Sequence, residues 1–202
     1  PSVKIPPPTR STPRINRRQR QMCIRDSHWD MYGSGERLLM SFHGVPKQTL
    51  LDGDQYHCQC RKTARLVAET LELEDGEWQV SFQSRVGRAE WLRPYTDETL
   101  EAWGKERAGL VDVICPGFSA DCLETLEEIA MENAETFRSS GGGDLRYVPA
   151  LNARDDHVSF LARTVEKSVA GWPEADPDWS LSEASRQLEK SRQRAKEMGS
   201  TC

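Results

Sequence analysis

The sequence contains no apolar run approaching the roughly 20 residues that a membrane-spanning helix needs, so at most a peripheral membrane contact is expected. Its first 27 residues lack the apolar stretch of a secretory signal. No two of its six cysteines have C-x-x-C spacing, and no histidines flank them in the pattern of a zinc site. Neither a disulfide framework nor a structural zinc is expected, and a reducing, cytoplasmic setting fits better. Cys58 and Cys60 read as a partly exposed helix start, Cys115 and Cys122 as small buried hydrophobes. A basic surplus is also missing from the body of the chain. Residues 1–27 hold seven Lys/Arg against one Asp, whereas the remainder holds 20 basic and 31 acidic side chains. An acidic body of that kind argues against a nucleic-acid partner.

Five of the eleven prolines fall in residues 1–27, which show no helical or strand period. This segment reads as a disordered basic leader. Its end, QMCIRDS at 21–27, resembles translated adapter sequence, which favours a non-native origin. From residue 28 the texture is globular. Short, nearly continuous apolar runs at 37–42, 78–82, 110–115 and 145–148 read as strands buried on both faces. Helices are expected at 60–73, from Thr96 (as N-cap), at about 121–137, and at 155–169. The alternation predicts an α/β fold, a four-stranded parallel sheet flanked by helices, over residues 28–170. Residues 171–202 read as a linker and a charged helix at 181–198 with little apolar face.

In LLMSFHGVP (38–46), Gly44 and Pro46 end the first strand, which places His43 where strand becomes loop. That carboxyl edge is where open α/β sheets bind ligands. A neutral imidazole there can accept a proton or coordinate a metal; the plainer alternative is a bond to a neighbouring backbone group. Loops at 83–88 and 116–121 leave the same edge. On a 3.6-residue wheel Asp121, Glu124, Glu128, Glu132 and Glu135 fall in one sector, with Glu127 at its margin. Leu123, Leu126, Ala130 and Phe137 fall opposite. A solvated face is the plainer reading of that row. Against it, residues 121–137 hold six acids and no Lys or Arg, and unrelieved acids at this spacing repel. A histidine facing such a row suits handling of a divalent cation or removal of protons from a substrate.

The stretches LLMSFHGVP (38–46), GDQYHCQCRKTA (53–64), VSFQSRVGRAEWLRPYTDETL (80–100), VICPGFSADCLETLEEIA (113–130) and YVPALN (147–152) resemble, in content and order, the ferrochelatases, especially the proteobacterial branch. The resemblance implies a Rossmann-like chelatase lobe, one of two that hold porphyrin between them, and insertion of ferrous iron into protoporphyrin IX. It assigns pyrrole-proton acceptance, metal ligation or both to His43. It places the family's key glutamate on Glu124 and continues a metal or proton row through Glu128 and Glu132. Trp91, Ser84 and Arg85 would lie along the porphyrin cleft. Iron enters as substrate.

Two departures qualify the resemblance. Residues 1–27 cannot stand for the family's N-terminal lobe, so the chain reads as the second half and is expected to be inactive alone. The four-cysteine set that holds a [2Fe–2S] cluster in some members cannot be mapped onto Cys58, Cys60, Cys115, Cys122 and Cys202, so no iron–sulfur cluster is expected. Two rival readings are a chelatase for coproporphyrin or a cobalt corrinoid precursor, and a non-catalytic α/β module that sequesters tetrapyrrole or metal.

Overall fold

The computed structural model describes residues 28–199. The expectations for the leader at 1–27, and for Cys202, lie outside those residues. Two compact units part between His157 and Val158.

The first unit runs α1 (Asp30–Tyr32), β1 (Arg37–His43), α2 (Lys47–Leu51), α3 (Tyr56–Leu71), β2 (Trp78–Gln83), α4 (Thr96–Lys105), β3 (Leu110–Ile114), α5 (Leu123–Leu126), a π-helical stretch (Glu128–Asn133), α6 (Ala134–Ser139) and β4 (Asp144–Tyr147). The strands form one sheet in the order β2-β1-β3-β4, with every pairing parallel. The expected four-stranded parallel sheet is therefore present. The run Leu38–Phe42 is buried throughout because β1 is a central strand, covered on both faces.

Strand alternation sorts these side chains into two cores. Leu38, Met40 and Phe42 pack with Val80 and Phe82 of β2 and with Cys60, Ala64, Val67 and Ala68 of α3. Leu39 faces the other way, towards Leu100 and Trp103 of α4, Val111 and Val113 of β3, and Ile129 and Phe137. His43 has the parity of Leu39 and so belongs to the second face. Each large side chain buried here stabilises the fold by roughly 1.5–3 kcal/mol relative to exposure.

The chain leaves β1 for β2 on one side and returns across it to β3 on the other. Such reversals open a crevice at the carboxyl ends of the two strands. Register deepens it: β1 pairs with β2 as far as His43↔Gln83, but with β3 only as far as Met40↔Ile114. The residues after Met40 therefore stand beyond the end of the β3 ladder.

Several boundaries differ from expectation. The long helix after β1 begins at Tyr56, four residues before the predicted start, so Cys58 is exposed and Cys60 buried in its first turns. Tyr95 rather than Thr96 is the N-cap of α4; the Thr96 hydroxyl is buried against Ser41 and Ser81 instead. The single helix expected at 121–137 is three consecutive pieces.

In the second unit, the helix α7 (Asp155–Val169) enters from the first, and α8 (Leu181–Glu197) follows a short 3-10 turn at Pro173–Ala175. No residue of α8 is buried, in keeping with its charged sequence. Among the described residues no helix is long and apolar enough to cross a membrane.

Candidate functional site

His43 closes β1 and is half-buried. Its Nδ1 lies 2.6 Å from the Gly44 carbonyl oxygen. A carbonyl can only accept, so Nδ1 carries the proton, and in the neutral ring Nε2 keeps its lone pair. The backbone reading of this histidine and the functional one are thus both satisfied, by different nitrogens. Gly44 is needed here because a Cβ would stand 2.9 Å from the Gln83 carbonyl oxygen and 3.0 Å from Trp91 Cε3. The rings of Trp91 and Phe118 each lie 6.4 Å from the His43 ring, tilted by 49° and 44°. Trp91 Nε1 donates to the Val86 carbonyl at 3.0 Å, which fixes the indole.

A cavity of about 770 Å³ opens beside these groups, lined by His43, Gln83, Ser84, Arg85, Trp91 and the acidic helix. Glu124, Glu127, Glu128 and Glu132 all reach it. The structure therefore brings His43, Ser84, Arg85, Trp91, Glu124, Glu128 and Glu132 to one cavity. It also changes what several of them do.

The acidic row departs from the 3.6-residue wheel. Asp121 turns away and accepts from Tyr147 Oη at 2.7 Å, Asn152 Nδ2 at 2.7 Å and the Ala150 amide at 3.1 Å. Glu135 is exposed and pairs with Arg138. Glu127, placed at the margin by the wheel, lines the cavity instead. Asp121 precedes the helix, which begins at Leu123; further along, the Glu132 amide bonds the Glu127 carbonyl five residues back, at 2.9 Å, which widens the turn between Glu127 and Glu135. Phe137 is core as expected, but Leu123 is 72% exposed and lines the cavity.

Glu128 is occupied. Its Oε1 accepts from the Ser84 amide at 2.7 Å and its Oε2 from the Ser84 hydroxyl at 2.6 Å. Ser84 has φ +63°, a conformation side chains rarely adopt, and this two-pronged bond holds it there. Arg85 is paired as well, to Asp97 Oδ2 at 2.6 Å and Glu98 Oε1 at 3.5 Å, with its guanidinium 4.3 Å from the Tyr95 ring centre. Its charge at the cavity rim is thereby neutralised. The loop at 116–121, expected to line the same crevice, instead contributes Pro116–Ser119 to a separate cavity of about 310 Å³ with Tyr56 and Val67.

Glu124 remains the carboxylate best suited to chemistry. The Cys122 thiol and its own backbone N–H donate to it and hold its pKa below the ordinary value. Cys115, by contrast, is pushed upward by burial and by the nearby Glu128 carboxylate, so it stays a neutral thiol donating to Gln83 Oε1 at 3.4 Å. Cys122 is half-buried at the N-cap of α5 rather than fully buried as expected. Among the described residues no group of three or more His, Cys, Asp or Glu side chains is arranged to hold a metal.

Burial raises the Asp121 pKa, but hydrogen bonds from Asn152, Tyr147, Ala150 and Thr125 outweigh it and leave the carboxyl below its usual range. A carboxyl lowered by folding contributes stability that is present above its unfolded pKa, about 3.9, and is lost as pH falls through the folded value. Asp121→Asn is therefore expected to flatten the acid limb of a stability-versus-pH curve, measured by urea unfolding between about pH 5 and 2. An unchanged acid limb would show that Asp121 is not part of it.

Sequence reasoning missed Gln83, read as the first residue of a loop but here a strand residue 3% exposed, and Phe118. The signal for Gln83 was available: an amide ending a run of buried strand residues needs partners on every side.

Residues 20–169 match the family model described as ferrochelatase. The ferrochelatase of Thioalkalivibrio sulfidiphilus is 57% identical over 173 residues, 86% of this chain and 47% of that protein. Those of Nitrosococcus oceani and a Janthinobacterium species are 54% and 52% identical, covering 85% and 86% of this chain and 46% and 47% of theirs. The chain thus spans about half the length of the curated relatives it matches. With a parallel sheet whose crevice sets a histidine beside a row of glutamates, and with this extent of similarity, the chain belongs to the ferrochelatase family.

Proposed function

We propose that the cavity beside His43 is one wall of a site where ferrous iron is inserted into protoporphyrin IX, the other wall being a second lobe of the kind that the unmatched half of the relatives would form. A metal enters the ring only as two pyrrole N–H protons leave, so a base beside the macrocycle lowers the barrier. The carrying observation is the His43 Nδ1–Gly44 bond, which leaves Nε2 as a proton acceptor or ligand beside the cavity. Trp91 offers a flat apolar surface next to it. Glu124, kept ionised, and the exposed Glu127 and Glu132 give the cavity a negative wall that attracts Fe(II) and takes up protons. Glu128 serves this wall by holding Ser84. A cytoplasmic location is part of the same proposal and is supported by the unpaired thiols Cys58, Cys60, Cys115 and Cys122.

The test is anaerobic addition of Fe(II) and protoporphyrin IX, followed by haem absorbance. The 202-residue chain alone is expected to give no turnover. Fused to the N-terminal half of the Thioalkalivibrio enzyme, it should make haem. Turnover by the chain alone would remove the need for a second lobe. A fusion that metallates only coproporphyrin, or only with cobalt, would reassign the substrate, and one that binds porphyrin without metallating it would reduce the chain to a binding module.

A further inference from the structure

Gln83 touches both sides of the site. Its backbone carbonyl accepts from the Gly44 amide at 2.8 Å, and it is the register partner of His43. Its side-chain Nε2 donates to the Glu124 carbonyl at 2.5 Å and lies 3.5 Å from Glu128 Oε2. Its Oε1 accepts from the Ser41 hydroxyl at 2.6 Å and the Cys115 thiol at 3.4 Å. Ser41 in turn meets Thr96, which donates to Ser81. Ser41, Ser81, Gln83 and Thr96 are all buried.

We infer that Gln83 is a positioning residue that sets the separation between His43 and Glu124, and thereby makes them act on one cation. Within α5 the anchoring is local, Thr125 Oγ1 bonding Asp121 and Cys122, and none of it reaches the His43 strand. That helix has four residues, only Thr125 of them buried, and it leads into a widened π turn. The buried serine–threonine network fixes the amide plane, and with it the direction of Nε2. Because the amide is held at its oxygen by β1, its nitrogen transmits the position of the His43 strand to the backbone of Glu124. The inference rests on the proposed function for its purpose, but its geometry is testable without turnover.

The experiment uses the 202-residue chain with Co(II) as probe. Affinity is measured by calorimetry for the parent, His43→Ala, Glu124→Ala and the double variant, and the cycle is repeated in Gln83→Met and Gln83→Glu. Amide exchange over residues 123–128 is followed in parallel without metal. In the parent background the two ligands should be coupled by about tenfold in affinity. In both Gln83 variants that factor should fall towards one, and residues 123–128 should exchange faster. Gln83→Glu keeps an acceptor for Ser41 and, once ionised, cannot donate to Glu124, so measured at a pH where it is ionised a role confined to the sheet network would spare it. Unchanged coupling and unchanged exchange in either folded variant overturn the positioning role. If His43→Ala and Glu124→Ala leave cobalt affinity unchanged in the parent, the metal reading fails instead, and exchange alone decides the role of Gln83.

Discussion

In the fused two-lobe protein, His43→Ala is expected to slow metal insertion by a factor of about 10²–10⁴, the range for loss of a positioned general base. The substitution removes the lone pair on Nε2, the atom that the Gly44 bond holds available. It should cost little stability, because the ring is half-buried at a strand end, with the ring centres of Trp91 and Phe118 each 6.4 Å away. On the proposed reading, porphyrin affinity, read by fluorescence quenching, should change much less than turnover. A rate within about tenfold of the parent would mean that another group or water takes the pyrrole protons. Equal losses of affinity and rate would instead point to a binding residue.

Asp112→Ala is expected to destabilise the chain by about 3–5 kcal/mol, the cost of leaving one partner of a buried ion pair alone. Asp112 is fully buried in the middle of β3. Its Oδ1 accepts from Arg146 Nε at 2.6 Å; its Oδ2 accepts from Arg146 Nη2 at 2.9 Å, Trp29 Nε1 at 2.7 Å and the Gly35 amide at 2.7 Å. Removing the carboxylate leaves a guanidinium that is only 21% exposed without its counter-charge, bonded to the Tyr32 and Gly33 carbonyls alone, and strands an indole N–H and a backbone N–H. Urea unfolding should show a lower midpoint at unchanged slope. The double variant Asp112→Ala/Arg146→Met should recover part of the loss, because no uncompensated charge remains. A single-variant loss below about 1 kcal/mol would show that water reaches the pair and screens it.

Much of the sheet was legible in the sequence because β1, β2 and β3 are covered on both faces. Runs such as Leu38–Phe42 must then be apolar, and Gly44, Pro46 and Pro116 mark their ends. His43 could be placed for the same reason. The acidic helix was read only in part, because the wheel assumes one period. Asp121 and Glu135 left the row and Glu127 joined it. What selects the wider turn lies partly outside the helix: Glu128 reaches across to Ser84, while Asn133 Nδ2 caps the Glu128 carbonyl at 2.7 Å. Arg85 illustrates a second limit. Its residue type suits a porphyrin carboxylate, but only the fold brings Asp97 and Glu98 within reach of it.

The swollen turn between Glu128 and Asn133 has an evolutionary corollary. A chain shorter by a single codon there could wind as ordinary α-helix, a more favourable local backbone. With Phe137 still anchored in the core, everything upstream would rotate by about 100° about the helix axis, the angle one residue subtends. Glu124 would swing off the cavity and Ser84 would lose its clamp. A deletion that repaired the helix would thus undo the site.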